Sequence, residues 1–113
     1  MASPAQQIVQ SQQLGAAAGL LYTSPSLVWT QITALTVSNP TPSPHVVSLW
    51  IVPNGSSAGS NTVSTPPRAI LAGGTYNGSN ESGMILGPGD ALWGAADAIN
   101  SLTIMAAGLL IVS

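Results

Sequence analysis

The chain has 113 residues and only four charged side chains, Arg68, Glu81, Asp90 and Asp97, with no lysine, one histidine and a formal net charge of −2. An ordinary soluble domain carries about 25% charged residues, so this composition excludes most charge-driven functions. There is no basic stripe for phosphate contacts and no acidic face for a basic partner, and with no cysteine there is no disulfide framework, thiolate nucleophile or Cys-ligated zinc.

The length fits one domain with one modest core, and a hydrophobic fraction of 45% is enough to fill it. The first seven residues, Met-Ala-Ser-Pro-Ala-Gln-Gln, have no basic residue and no apolar run, so no secretory signal is expected. The most apolar stretch, residues 102–112, is about half the ~20 residues a membrane helix needs and is read as a buried strand, with no membrane partner. So few charges give a free monomer weak colloidal protection. Either hydroxyl and amide side chains hydrate the surface, or an assembly covers much of it.

Residues 1–19 are rich in Gln and Ala, and Ile8, Val9 and Leu14 are too sparse for an amphipathic stripe, so this segment is read as an N-terminal arm, extended or in a short helix. From Leu20 the pattern changes to short β-like runs broken by Pro, Gly, Ser and Asn, which predicts one antiparallel β unit over 20–113. The first run, 20–24, stops at Pro25, and the second, 27–38, stops before prolines 40, 42 and 44, which cannot continue a ladder. Within it Leu35 and Val37 share one face and Ile32 the other, a slip that predicts a β-bulge near Thr33.

Residues 45–52 form the next strand, with Val47, Leu49 and Ile51 on one side and Val46, Ser48, Trp50 and Val52 on the other. A flexible polar loop, 53–61, follows. Two weaker strands are expected at 69–71 and 84–86, separated by the loop 73–80. Gly87-Pro-Gly-Asp90 predicts a tight turn leading into 91–94. The last strand has the clearest period-2 signal: Leu102, Ile104, Ala106, Gly108, Leu110 and Val112 alternate with Ser101, Thr103, Met105, Ala107, Leu109 and Ile111.

The candidate chemistry is thin. His45 could serve as a base in a Ser/His/Asp arrangement, but no Gly-x-Ser-x-Gly elbow surrounds any serine, and a histidine opening a strand after Pro44 is the simpler reading. Glu81, Asp90 and Asp97 do not lie in an alternating Asp/Asn loop with a terminal Glu. Asp90 is expected to close its own turn on local amides, with Asp90 and Asn80 the only candidates for a cation. The three N-glycosylation patterns at Asn54, Asn77 and Asn80 are read as turns, and the glycines at 73, 74 and 78 lack a phosphate-binding spacing. Trp29, Trp50 and Trp93 are assigned to core or subunit packing in preference to a sugar platform. No cofactor, metal or nucleic acid is expected, and no enzymatic activity.

The order of motifs carries a resemblance: Leu-Tyr-Thr at 21–23, Trp-Thr-Gln-Ile-Thr-Ala-Leu-Thr-Val-Ser-Asn at 29–39, Val-Ser-Leu-Trp-Ile-Val-Pro at 47–53, Leu-Gly-Pro-Gly-Asp-Ala-Leu-Trp at 86–93 and Ser-Leu-Thr-Ile-Met-Ala-Ala-Gly at 101–108. This resembles small β-sandwich virion proteins of tailed bacteriophages, over about residues 20–113, with capsid decoration (cement) proteins first and neck, tail or fibre-associated parts second. The resemblance implies an all-β, small antiparallel β-sandwich, jelly-roll-like, on the capsid exterior. It would form a homotrimer bound to the phage major capsid protein. The residues assigned to interfaces are Gln6, Gln7, Ile8, Val9 and Leu14 of the arm, Asn54 and Asn61 of the first loop, Tyr76 and Asn80 of the second, and Arg68 as the lone cation in an interfacial pair with a carboxylate. A receptor- or carbohydrate-binding module with exposed tryptophans is the alternative.

Overall fold

A computed structural model describes residues 6–112; Met1 to Ala5, the start of the expected arm, and Ser113 lie outside the described residues. Among the described residues nine strands make up the regular structure: β1 (Gln6–Gln13), β2 (Gly19–Thr23), β3 (Val28–Ser38), β4 (His45–Val52), β5 (Val63–Ile70), β6 (Thr75–Tyr76), β7 (Ile85–Leu86), β8 (Ala91–Ala96) and β9 (Thr103–Val112). They form two packed antiparallel sheets. Sheet A runs β1-β9-β3-β6, with β7 also paired to β3, and sheet B runs β2-β8-β4-β5. The small antiparallel β-sandwich expected from the sequence is the fold observed.

Each sheet turns one face inward, and the alternation of the strands decides which. In sheet A, Ile32, Leu35 and Val37 of β3 face Ile104 and Ala106 of β9; in sheet B, Val47 and Leu49 of β4 join Leu92 of β8. The bulge expected at Thr33 is present, since the β3–β9 register shifts between Ile32 and Ala34. Its effect is to bring Ile32 onto the same buried face as Leu35 and Val37, where strict alternation would have put it outside. The predicted row of β9 also points inward, with Leu102, Ile104, Ala106 and Gly108 buried and Leu110 half-buried; the side chain of Val112 lies outside the described residues.

Three elements depart from expectation. Gln6–Gln13 is not a free arm or a helix but strand β1, paired along its length with β9 and anchored by Val9, while Leu14 just beyond it is also buried in the core. β5 begins at Val63 and runs through Pro66 and Pro67. That is tolerated because β5 is the outermost strand of sheet B and its register with β4 shifts between Thr65 and Arg68, so that neither proline has a paired partner in the ladder. Finally, Tyr76 lies in the short strand β6 opposite Val37, and its ring is buried.

Candidate interaction surfaces

Of the four charged side chains, none lies on a strand of sheet A. Its outer face follows from the register: Trp29 stands beside Ile111, Gln31 beside Leu109 and Ile85, Ala34 beside Ala107, and Thr36 beside Met105. Trp29 is 46% exposed, Ile85 56%, Met105 43% and Ile111 38%. The Trp29 ring also lies against the Gly-Pro-Gly-Asp turn, where a Cβ on Gly87 would come within 3.2 Å of it. Farther along the same sheet is an open groove of about 260 Å³, lined by Gln7, Ala34, Leu35, Thr36, Met105, Ala106 and Ala107. An apolar, uncharged sheet face of this kind marks an interaction site more often than plain surface.

Sheet B carries a second apolar row. Leu20, Trp93, Trp50 and Val63 stand in register across all four strands. Beside them Trp50, Val63, Pro66 and Pro67, with Ser48, Gly59 and Ser60, line a shallow groove of about 310 Å³. Of the two places expected for the tryptophans, core or subunit packing, the chain's own core is not the one observed: they are on outer faces, Trp50 and Trp93 half-buried and Trp29 exposed. At their positions strand parity turns the side chain outward, and the inner places are held by Leu, Ile and Val. The signal available in the sequence was the second face of β9, where Met105, Ala107, Leu109 and Ile111 are as apolar as the buried row.

The polar groups are organised for structure. The carboxylate of Glu81 is fully buried. Its Oε2 accepts hydrogen bonds from Ser64 Oγ and Thr65 Oγ1, both at 2.6 Å, and its Oε1 accepts one from Tyr76 OH at 2.8 Å. Asn80 closes the cluster, donating its backbone N–H to Tyr76 OH at 3.2 Å and its side-chain amide to the Ser64 carbonyl at 3.2 Å. A buried carboxylate is costly unless its lone pairs are satisfied, and here three hydroxyls satisfy it, tying residues 76–81 to β5. Asp90 closes its turn as expected, accepting from Gly87 N at 2.8 Å, and its second oxygen accepts from Asn54 N at 2.9 Å.

His45 opens β4 and its Nδ1 lies 2.9 Å from Asp97 Oδ1 at the surface. Burial raises the Asp97 pKa, but the hydrogen bonds from His45 and the Val46 backbone, together with the His45 charge, outweigh it and hold the carboxyl below its ordinary value. No serine hydroxyl shares a hydrogen bond with His45 among the described residues, so the pair is not assembled into a triad. Nor do the described residues contain a group of three or more His, Asp or Glu side chains placed to hold a metal ion.

The sequence-assigned interface residues thus separate. Val9, Leu14 and Tyr76 belong to the chain's own core, since β1 and β6 are sheet strands and their inward side chains fill the sandwich. Asn80 is engaged with Ser64 and Thr65. Ile8 is half-buried; Gln6, Gln7, Asn54, Asn61 and Arg68 are exposed. Arg68 makes no intrachain ion pair among the described residues: its guanidinium sits 5.0 Å over the Tyr76 ring, a cation–π contact.

No protein-family model matches the chain, and no curated protein matches it. Among solved structures, a chain in the structure of infectious bursal disease virus Gt strain aligns at 12% identity and a TM-score of 0.32, covering 96% of this chain. The alignment spans 31% of that viral chain. A likeness at this score carries no argument about function.

Proposed function

We propose that this is a non-catalytic structural virion protein of the capsid decoration (cement) type, which binds adjacent major capsid subunits on the capsid exterior as a homotrimer. The observation that carries an assembly role is the outer face of sheet A: five strands without a charged residue, presenting Trp29, Ile85, Met105 and Ile111 to solvent. A permanent interface allows a surface that a free monomer would have to make polar, because obligate interfaces resemble a cut domain core. The virion setting is supported by the order of motifs from Leu21 to Gly108, which resembles tailed-phage β-sandwich virion proteins. Repetition of weak apolar contacts over a shell then stabilises it by multivalency.

A second reading, a neck, tail or fibre-associated module that binds a receptor, is favoured by the half-exposed Trp50–Trp93 row and its groove. Native mass spectrometry of the purified chain, followed by co-sedimentation with capsid shells, separates the two. A trimer, or a hexamer built from two trimers, that decorates shells, and loses that binding in a Trp29→Gln/Ile111→Gln variant of unchanged fold, is the expected result. Shell binding indifferent to that variant, or no shell binding at all, would overturn the proposal.

A further inference from the structure

A β-sheet edge presents unpaired N–H and C=O groups, and natural folds protect such edges with proline, charge, bulges or short length. Three edges of this sandwich are protected in that way. β5 carries Pro66, Pro67 and Arg68, the far side of β3 holds only the two-residue strands β6 and β7, and β2 has five residues. The fourth edge is β1, eight residues long, Gln-Gln-Ile-Val-Gln-Ser-Gln-Gln, without proline or charge. Its register with β9 shifts on either side of Val9, so bulging blunts only the middle of this edge, while Gln6-Gln7 and Gln12-Gln13 at its two ends stay in regular pairing.

We infer that β1 is an intermolecular pairing edge, and that its occupant is β1 of a second copy, antiparallel about a twofold axis through Gln10. Strand addition of this type draws affinity from main-chain hydrogen bonds, and neighbouring side chains set the register. The side chains fit a second copy. Gln7 stands beside Ala107 and Gln13 beside Thr103, so both lie on the outer face of sheet A. A twofold axis perpendicular to the sheet keeps that face outward in both copies and sets Gln7 opposite Gln13 of the other, at both ends of the ladder. Each amide then meets another amide, which supplies donor and acceptor alike, and Gln10 meets its own equivalent. Since no strand of sheet A is charged, two copies approach without like-charge repulsion. A strongly charged foreign strand would find no complementary group. The inference concerns the edge of sheet A and the virion reading its face; a pair of trimers joined through β1 satisfies both, whereas a trimer alone satisfies only the virion reading.

The test uses the full chain at roughly 100 µM in low salt, by native mass spectrometry and sedimentation velocity, with two variants built at exposed positions. Gln7→Lys/Gln13→Lys puts like charges opposite each other twice per dimer, and cross-strand charge energies translate to a dissociation constant raised roughly tenfold. Gln7→Lys/Gln13→Glu puts opposite charges there and keeps or strengthens the dimer. The expected result is a dimer or a multiple of two, broken by the first variant and kept by the second, with equal thermal stability of the separated chains; a hexamer falling to trimers counts equally. Only monomers or odd-numbered species in the unmodified chain, or identical assembly of both variants, would overturn it.

Discussion

Replacing Glu81 tests whether the buried carboxylate is held by its hydroxyl donors. Glu81→Gln keeps the size of the side chain, removes the charge and turns one oxygen into an NH₂. Placed at the Oε2 position, the NH₂ would confront the hydroxyl hydrogens of both Ser64 and Thr65; placed at Oε1 it confronts only that of Tyr76. The second orientation is cheaper, because Tyr76 can turn its hydroxyl hydrogen to Thr65 Oγ1, 3.0 Å away, and accept from the amide. Every donor keeps a partner, and what is lost is charge assistance over three bonds, at about 1 kcal/mol each. The smaller cost of burying a neutral group offsets part of it. The net expectation is a destabilisation of about 1–2 kcal/mol.

Glu81→Leu removes the acceptor altogether. Ser64 can turn towards solvent and Tyr76 can bond to Thr65, which leaves the Thr65 hydroxyl hydrogen without a partner in the interior and a poorly matched side chain beside it. Orphaned donors cost about 1–3 kcal/mol, and with the packing change the expected loss is about 3–4 kcal/mol. Urea unfolding followed by tryptophan fluorescence, at one fixed protein concentration because assembly shifts apparent stability, gives the midpoints and slopes. The prediction is a graded series, wild type above Glu81→Gln above Glu81→Leu, with unchanged slope. A Glu81→Leu chain within about 0.5 kcal/mol of wild type, or one more stable than Glu81→Gln, would refute the reasoning.

Two further outcomes follow from the backbone and the surface. Gly78→Ala should cost more than about 3 kcal/mol, because φ is +64° and the new Cβ would lie 2.6 Å from the Leu35 carbonyl oxygen. Gly55→Ala, at φ +86° with nothing within 4 Å, should cost only about 1–2 kcal/mol of backbone strain, so the same urea experiment separates collision from conformation. Asp97, held below its unfolded value of 3.8, contributes stability that is fully present above that value and is lost as pH falls through the lower folded one. Stability measured from pH 5 down to 2.5 should therefore flatten slightly in Asp97→Asn relative to wild type, and a difference confined to neutral pH would contradict the assignment.

Where packing wrote itself into side-chain alternation, the sequence was readable. The inward row of β9, the inward Val47 and Leu49 of β4, the bulge at Thr33 and the Asp90 turn all follow from residues that are neighbours in the chain. β1 was not readable, because Val9 is its one deeply buried anchor and its place is held by backbone bonds to β9, which side-chain pattern does not display. β5 was expected only at 69–71, whereas it starts at Val63 and runs through two prolines, and only the strand order reveals that it is an edge. The Glu81 cluster joins residues 5 to 17 positions apart on different elements, a proximity set by the sandwich and not by spacing. For the tryptophans the residue type left core and subunit packing both open, and strand parity places them on outer faces.

The strand order also sets a timetable for folding. β9 is the last strand in the sequence and lies in the interior of sheet A, between β1 and β3, so neither neighbour has its main partner until residues 103–112 arrive. The β1–β9 ladder joins Gln6 to Gly108, a loop of about 100 residues to close before any bond of that ladder forms. Chains dominated by such distant pairings fold slowly, in roughly milliseconds to seconds. Meanwhile the apolar strand β3 has only the two-residue strands β6 and β7 for partners, with almost no charge nearby to keep neighbouring chains apart. For this molecule the vulnerable interval is before the sandwich closes, and high-level production should therefore gain more from slower synthesis or lower temperature than from any change to the finished fold.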